Sequence, residues 1–172
     1  MKASTFLKSA LTILLAFLIS NVTIANAGEI RGSSGNNFTL TPTATPGVFH
    51  MTHPGVAQVS LLGNCTFDGE EIVIAPTGPN GLFILSGTWH FATANGSSTL
   101  DAEVEGTGTP DPTNPNFVNL RYTFKFTGGT GIMANARGKG QMDGVAMLTS
   151  PNGGTTTFTF TGQVSTRGRK SS

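Results

Sequence analysis

Over its last third the chain alternates apolar and polar positions with a period of two. Leu120, Tyr122, Phe124 and Phe126 interleave with Arg121, Thr123, Lys125 and Thr127. Met142, Gly144, Ala146 and Leu148 resume the alternation, and Phe158, Phe160, Gly162 and Val164 face away from Thr157, Thr159, Thr161 and Gln163. That period marks strands buried on one face. Upstream, Trp89 and Phe91 share a face of a long strand over 82–94, bent at Gly87. A strand over 97–107 turns Leu100, Ala102 and Val104 inward and Asp101, Glu103 and Glu105 towards solvent. Earlier strands are shorter, over 38–41, 47–51 and 56–62. Residues 64–69 read as a turn region, followed by a strand over 70–75 with Ile72 and Ile74 on one face.

Loops separate these runs at 76–81 (PTGPNG), 108–115 (GTPDPTNP) and Asn152-Gly153-Gly154. Asn95-Gly96 predicts a type I′ hairpin turn, whose two central residues both need positive φ. No helical periodicity of useful length follows residue 27. About eight strands, mostly sequential neighbours, predict an all-β fold: a single antiparallel up-and-down barrel, with a β-sandwich as the alternative.

The stretch from Phe126 to Gly140, FTGGTGIMANARGKG, joins two of the clearest strands. Gly128, Gly129 and Gly131 break the alternation, and Ile132 to Arg137 leaves room for one helical turn. Gly129 to Ala134 also fits the dinucleotide fingerprint G-x-G-x-x-G/A. That motif needs a long helix next and an acid at the end of a parallel strand, and this chain offers neither. The three glycines are therefore expected to build a structural corner, and no cofactor-binding residue is assigned.

Residues 1–27 read as a signal peptide with a helical apolar core: Lys2 and Lys8, an apolar run over 11–19, and the small-x-small site Ala25-Asn26-Ala27. The run is too short to span a membrane. The expected organisation is a signal peptide over 1–27, a flexible segment over 28–46, a barrel over 47–166 and a basic tail over 167–172. Export to the periplasm or beyond is implied, with no membrane span after cleavage. Taking Lys2 and Lys8 from the ten basic residues leaves eight against nine acidic ones, a net charge of −1, which gives no reason to expect nucleic acid. The lone Cys65 cannot form a disulfide within the chain and is read as a small buried hydrophobe.

Candidate chemistry is sparse. His50 and His53 could share a metal, but i and i+3 lie on opposite faces of a strand, and His90 is the only other histidine. No metal ligand is assigned. There is no G-x-S-x-G and no Cys–His arrangement for a hydrolase. Asp68, Glu70, His90 and Asp143 are the conceivable polar helpers, and none is assigned a catalytic role.

Several motifs resemble those of small exported bacterial proteins with an allene oxide cyclase-like or dirigent-like barrel. They are Phe126-Thr127-Gly128-Gly129-Thr130-Gly131 with Ala134, Asn135, Ala136 and Gly138; Thr52-His53-Pro54-Gly55; Ala94-Asn95-Gly96; and the closing run TTTFTFTGQVS. The resemblance spans roughly residues 47–166. Ile132-Met133 stands where Arg-Phe is usual, and Pro54 where Leu is common. It implies the barrel, and carries over no active-site residue.

Three functions follow as expectations. The first is a non-enzymatic exported barrel binding a small apolar ligand. The second is an isomerase or cyclase of the allene oxide cyclase-like or dirigent-like type, and the third a structural surface protein. An interior cavity of a few hundred Å³ would favour the first two; a filled interior would favour the third.

Overall fold

A computed structural model describes residues 27–76 and 81–166. Most of the predicted signal peptide and the basic tail at 167–172 lie outside the described residues, as does most of the 76–81 loop. Nine strands follow in chain order: β1 (Ala27–Pro42), β2 (Val48–Thr52), β3 (Gly55–Val59), β4 (Gly63–Ile74), β5 (Phe83–Thr93), β6 (Thr99–Pro110), β7 (Phe117–Gly129), β8 (Arg137–Ser150) and β9 (Gly153–Ser165). A single 3-10 turn, Gly131–Met133, lies between β7 and β8.

Every pairing is antiparallel, and β9 returns to β1, which closes the sheet. β2 and β3 keep one register against β1 on one side and β4 on the other, so they fill one position interrupted at His53-Pro54. Pro54 has no N–H to give a ladder. The molecule is thus an eight-position closed barrel, as the alternating pattern predicts, and the sandwich alternative does not apply.

Two segments differ from their predicted roles. The segment over 28–46, expected to be flexible, lies mostly in β1, which pairs with β9 from Ala27↔Ser165 to Thr39↔Gly153. Its inward positions include Gly32 and Asn36 as well as Ile30 and Phe38, so no apolar alternation announces it. Gly32 is there for space: a Cβ would sit 2.2 Å from Phe160 Cζ. Residues 64–69, expected to turn, form the first half of β4, with Cys65 and Phe67 buried and opposite Thr93 and Phe91.

The interior is packed with aromatic rings. Phe67, Trp89, Phe91, Tyr122, Phe124, Phe126, Phe158 and Phe160 are all buried, and most neighbouring rings meet tilted or edge-on at 5.0–5.9 Å, the arrangements aromatic quadrupoles favour. One end is closed by the β7–β8 connection, which sends Met133 and Ala136 into the core. It docks on the β5–β6 hairpin through Thr130 N–H to Thr99 O (3.1 Å) and Ile132 N–H to Ser98 Oγ (3.2 Å). That hairpin is not a type I′ turn: Gly96 has φ 67°, but Asn95 is not in the positive-φ region. Asn95 Oδ1 instead accepts from Ser97 N–H (3.0 Å) and Thr93 Oγ (2.9 Å), an Asx arrangement in a longer loop.

Candidate functional site

The polar helpers expected from the sequence stand outside the barrel. Asp68, Glu70, His90 and Asp143 are all exposed. His90 Nδ1 lies 2.6 Å from Asp101 Oδ1, and Arg121 pairs with Asp143 at 3.0 Å; surface pairs of this kind contribute about 0–1 kcal/mol. Glu103 and Glu105 are also solvent-facing. His50 sits on the outer face opposite Ile72, while His53 is buried. No cluster of three metal-ligating side chains occurs among the described residues.

The chemistry lies inside, at residues the alternation did not single out. On β4 it is Glu71 and Val73 that point inward, while Ile72 and Ile74 are 41% and 45% exposed. Glu71 is 1% exposed. Its Oε1 accepts from the Trp89 indole N–H at 2.8 Å and its Oε2 from the Tyr122 hydroxyl at 2.9 Å. His53 Nε2 stands 2.9 Å from the same Oε1 but does not align as a hydrogen bond. His53 is fully buried, edge-on to Phe67 and Trp89.

Backbone space admits this cluster. A Cβ on Gly87, the partner of Glu71, would meet Glu70 O at 2.0 Å and Glu71 Cγ at 2.8 Å. One on Gly69 would strike the His53 ring at 2.2 Å. Burying a carboxyl group is costly unless hydrogen bonds satisfy it, and here both oxygens have donors. The Tyr122 hydroxyl is held well above its ordinary range, first by burial, then by the Glu71 charge and by its hydrogen bond to that carboxyl group. Cys65 is buried as expected, and burial raises its thiol.

Above this cluster, towards the end of the barrel away from the β7–β8 connection, the interior opens into a small cup. Its lining is Phe38, Leu40, Met51, Val73, Phe83, Leu85, Val118, Leu120, Ala146, Leu148 and Thr156, and its volume is about 50 Å³. Met51, Val73 and Leu120 are each two residues from His53, Glu71 and Tyr122 on the same inner face, so the polar cluster forms the layer beneath the cup. Wider hollows of about 770 and 850 Å³ lie on the outer surface, among outward side chains such as Arg121, Asp143, Lys125 and Lys139. They are troughs on the solvent face.

No family model and no curated protein matches the chain. Among solved structures it is similar to the pterocarpan synthase dirigent protein GePTS1, with 12% sequence identity over 84% of this chain and 90% of that one and a TM-score of 0.44.

Proposed function

We propose that the protein is a non-enzymatic binding barrel whose open end takes the tip of an apolar ligand. The observation that carries this is the cup. Its walls are aliphatic and aromatic, with Thr156 the one polar side chain among them. Apolar surface is also exposed outside it: Ile74 pairs with Ile84 on the outer face of β4 and β5, and these two and Leu82, two residues before Ile84, are each nearly half exposed. At about 50 Å³ the cup is far below the roughly 300–1,000 Å³ of a pocket that swallows a whole drug-sized ligand. It suits a terminal methyl or short branch, with the rest of the ligand lying across the mouth.

The packed aromatic interior supports the structural-protein reading as the second one. The isomerase or cyclase alternative, of the allene oxide cyclase-like or dirigent-like type, has its best acid–base pair in Glu71 and His53. Glu71 is buried below the cup, and both its oxygens are occupied. Export through residues 1–27 remains part of the proposal.

Xenon and benzene are suitable probes, because dry apolar cavities take them up. Under xenon pressure, NMR shifts are expected to concentrate at Met51, Leu85 and Ala146, and Ala146→Phe should abolish them. A wild type without localised shifts would leave the structural reading in place.

A further inference from the structure

Three buried polar atoms have no hydrogen-bond partner among the described residues: Asn36 Oδ1, His53 Nδ1 and His53 Nε2. Glu71 Oε1, 2.9 Å away, stands close to the last of these. The other two have no such neighbour. Asn36 is 5% exposed and His53 fully buried, and leaving a polar group unpaired at such depth costs about 1–3 kcal/mol. They are neighbours on one inner surface. Asn36 pairs with Gly55, and His53 lies two residues from Gly55 on the same face. Gly55 makes room for the Asn36 amide: a Cβ there would sit 2.4 Å from Asn36 Oδ1.

The pair borders the cup. Asn36 Nδ2 donates to Thr156 Oγ at 3.4 Å, and Thr156 lines the cup. Met51 and Phe38, two residues from His53 and Asn36 along the inner face, line it too. An acceptor, Asn36 Oδ1, thus shares this inner surface with an imidazole nitrogen that donates or accepts according to its tautomer. The small group that satisfies both is a hydroxyl, which donates to Asn36 Oδ1 and accepts from the imidazole N–H. A halide offers no donor, and a carboxylate would bring an acceptor to Asn36 Oδ1.

We propose that Asn36 and His53 form a hydroxyl-recognition site at the floor of the cup, so that the ligand's buried tip is a short aliphatic alcohol, its carbons against the cup wall and its oxygen between these two side chains. This rests on the cup being a ligand site, and makes the polar pair the source of specificity.

1-Propanol and 1-chloropropane, similar in size and differing in the donor, test it by NMR titration of the full chain. The wild type is expected to bind the alcohol about tenfold more tightly, equivalent to about 1.4 kcal/mol. Asn36→Leu should erase or reverse that preference while leaving 1-chloropropane binding in place, and His53→Phe gives a second, independent variant should the first fail to fold. Equal affinity of the wild type for both probes would overturn the hydroxyl site and keep the cup. Binding of neither probe would overturn both. A water held between Asn36 and His53, detected by water–protein NOEs and undisplaced at saturating alcohol, would also overturn the hydroxyl site.

Discussion

The Tyr122 hydroxyl donates to Glu71 Oε2 at 2.9 Å across the inside of the barrel, joining β7 to β4, strands that are not neighbours in the sheet. Trp89 on β5 donates to the other oxygen. One carboxyl group therefore ties three strands from within. Its removal should act on the whole barrel.

Tyr122→Phe keeps the ring and removes one donor, leaving Glu71 Oε2 unpaired. A loss of about 1–3 kcal/mol is expected in denaturant unfolding at neutral pH. The wild type should also show an alkaline weakness that the variant lacks. Burial and Glu71 raise the folded-state pKa of Tyr122 well above its ordinary 10.0. Below pH 10 both states keep the proton and the contribution is intact. Above it the unfolded chain releases a proton that the folded chain retains, so stability falls as pH rises through the folded-state value. Tyr122 is the only tyrosine, so tyrosinate absorbance follows this group alone. Ionisation near pH 10 in the folded protein would contradict the buried hydrogen bond.

Glu71→Gln and Glu71→Leu separate hydrogen bonding from shape. Glutamine can still accept from Trp89 through its oxygen, and its amide can donate to Tyr122, whose hydroxyl also accepts. Leucine leaves the indole N–H and the phenol unpaired together. Expected losses are about 1 kcal/mol for Gln and about 3–5 kcal/mol for Leu, as for a broken buried polar cluster. Similar melting temperatures for the two variants would mean that the cluster contributes packing alone.

Gly87→Ala tests the space that admits Glu71. The new Cβ would lie 2.0 Å from Glu70 O and 2.7 Å from Glu71 Cα, both on the neighbouring backbone, so β4 and β5 must part. Destabilisation of about 1–3 kcal/mol or more is expected. Gly35→Ala is the control: nothing lies within 4 Å of its Cβ, and such changes in open space cost little or stabilise slightly. Equal melting temperatures for the two variants would count against the close approach of β4 to β5.

The alternation was legible wherever the inner face carries large apolar groups. Leu100, Ala102 and Val104 on β6, Leu120 to Phe126 on β7 and Phe158, Phe160 and Val164 on β9 are buried as their spacing implies. It failed where the inner face breaks the rule. In Glu70-Glu71-Ile72-Val73-Ile74, either alternation has apolar members, and the more apolar set, Ile72 and Ile74, is the outer one. Glu71 is tolerated inside because Trp89 and Tyr122 donate to it, and those partners are 18 and 51 residues away. His53 stands beside Pro54-Gly55, yet it faces inward because β2 and β3 keep one register across that interruption. Such long-range pairings leave no local trace. One signal was available: Gly69 and Gly87 break the inward face of two strands otherwise rich in large side chains, and an inward glycine marks a bulky neighbour across the sheet.

The glycines of the β7–β8 connection should differ sharply from one another. Gly131 has φ 58°, and a Cβ there would sit 2.2 Å from both Ser97 O and Ser98 Oγ on the β5–β6 hairpin. A Cβ on Gly129 would sit 2.3 Å from Thr99 O. At Gly128 the nearest atom is Arg137 Nη1 at 4.0 Å, and its φ is not positive. A β-branched residue at Gly131 is thus excluded twice, by backbone conformation and by contact. Gly131→Val should lose several kcal/mol, on the order of 3–5, since the connection places Met133 and Ala136 in the core and leads into β8. Gly128→Ala should melt within about 0.5 kcal/mol of wild type. The fingerprint-like spacing of Gly129, Gly131 and Ala134 makes a competing forecast: wild type would gain several degrees from NAD or ATP, and Gly131→Val would keep its stability and lose that gain. Thermal melts of wild type, Gly128→Ala and Gly131→Val with and without nucleotide decide between them. The close approach of Gly131 to Ser97 and Ser98 predicts a large loss in the valine variant alone, and no change with nucleotide in any of the three.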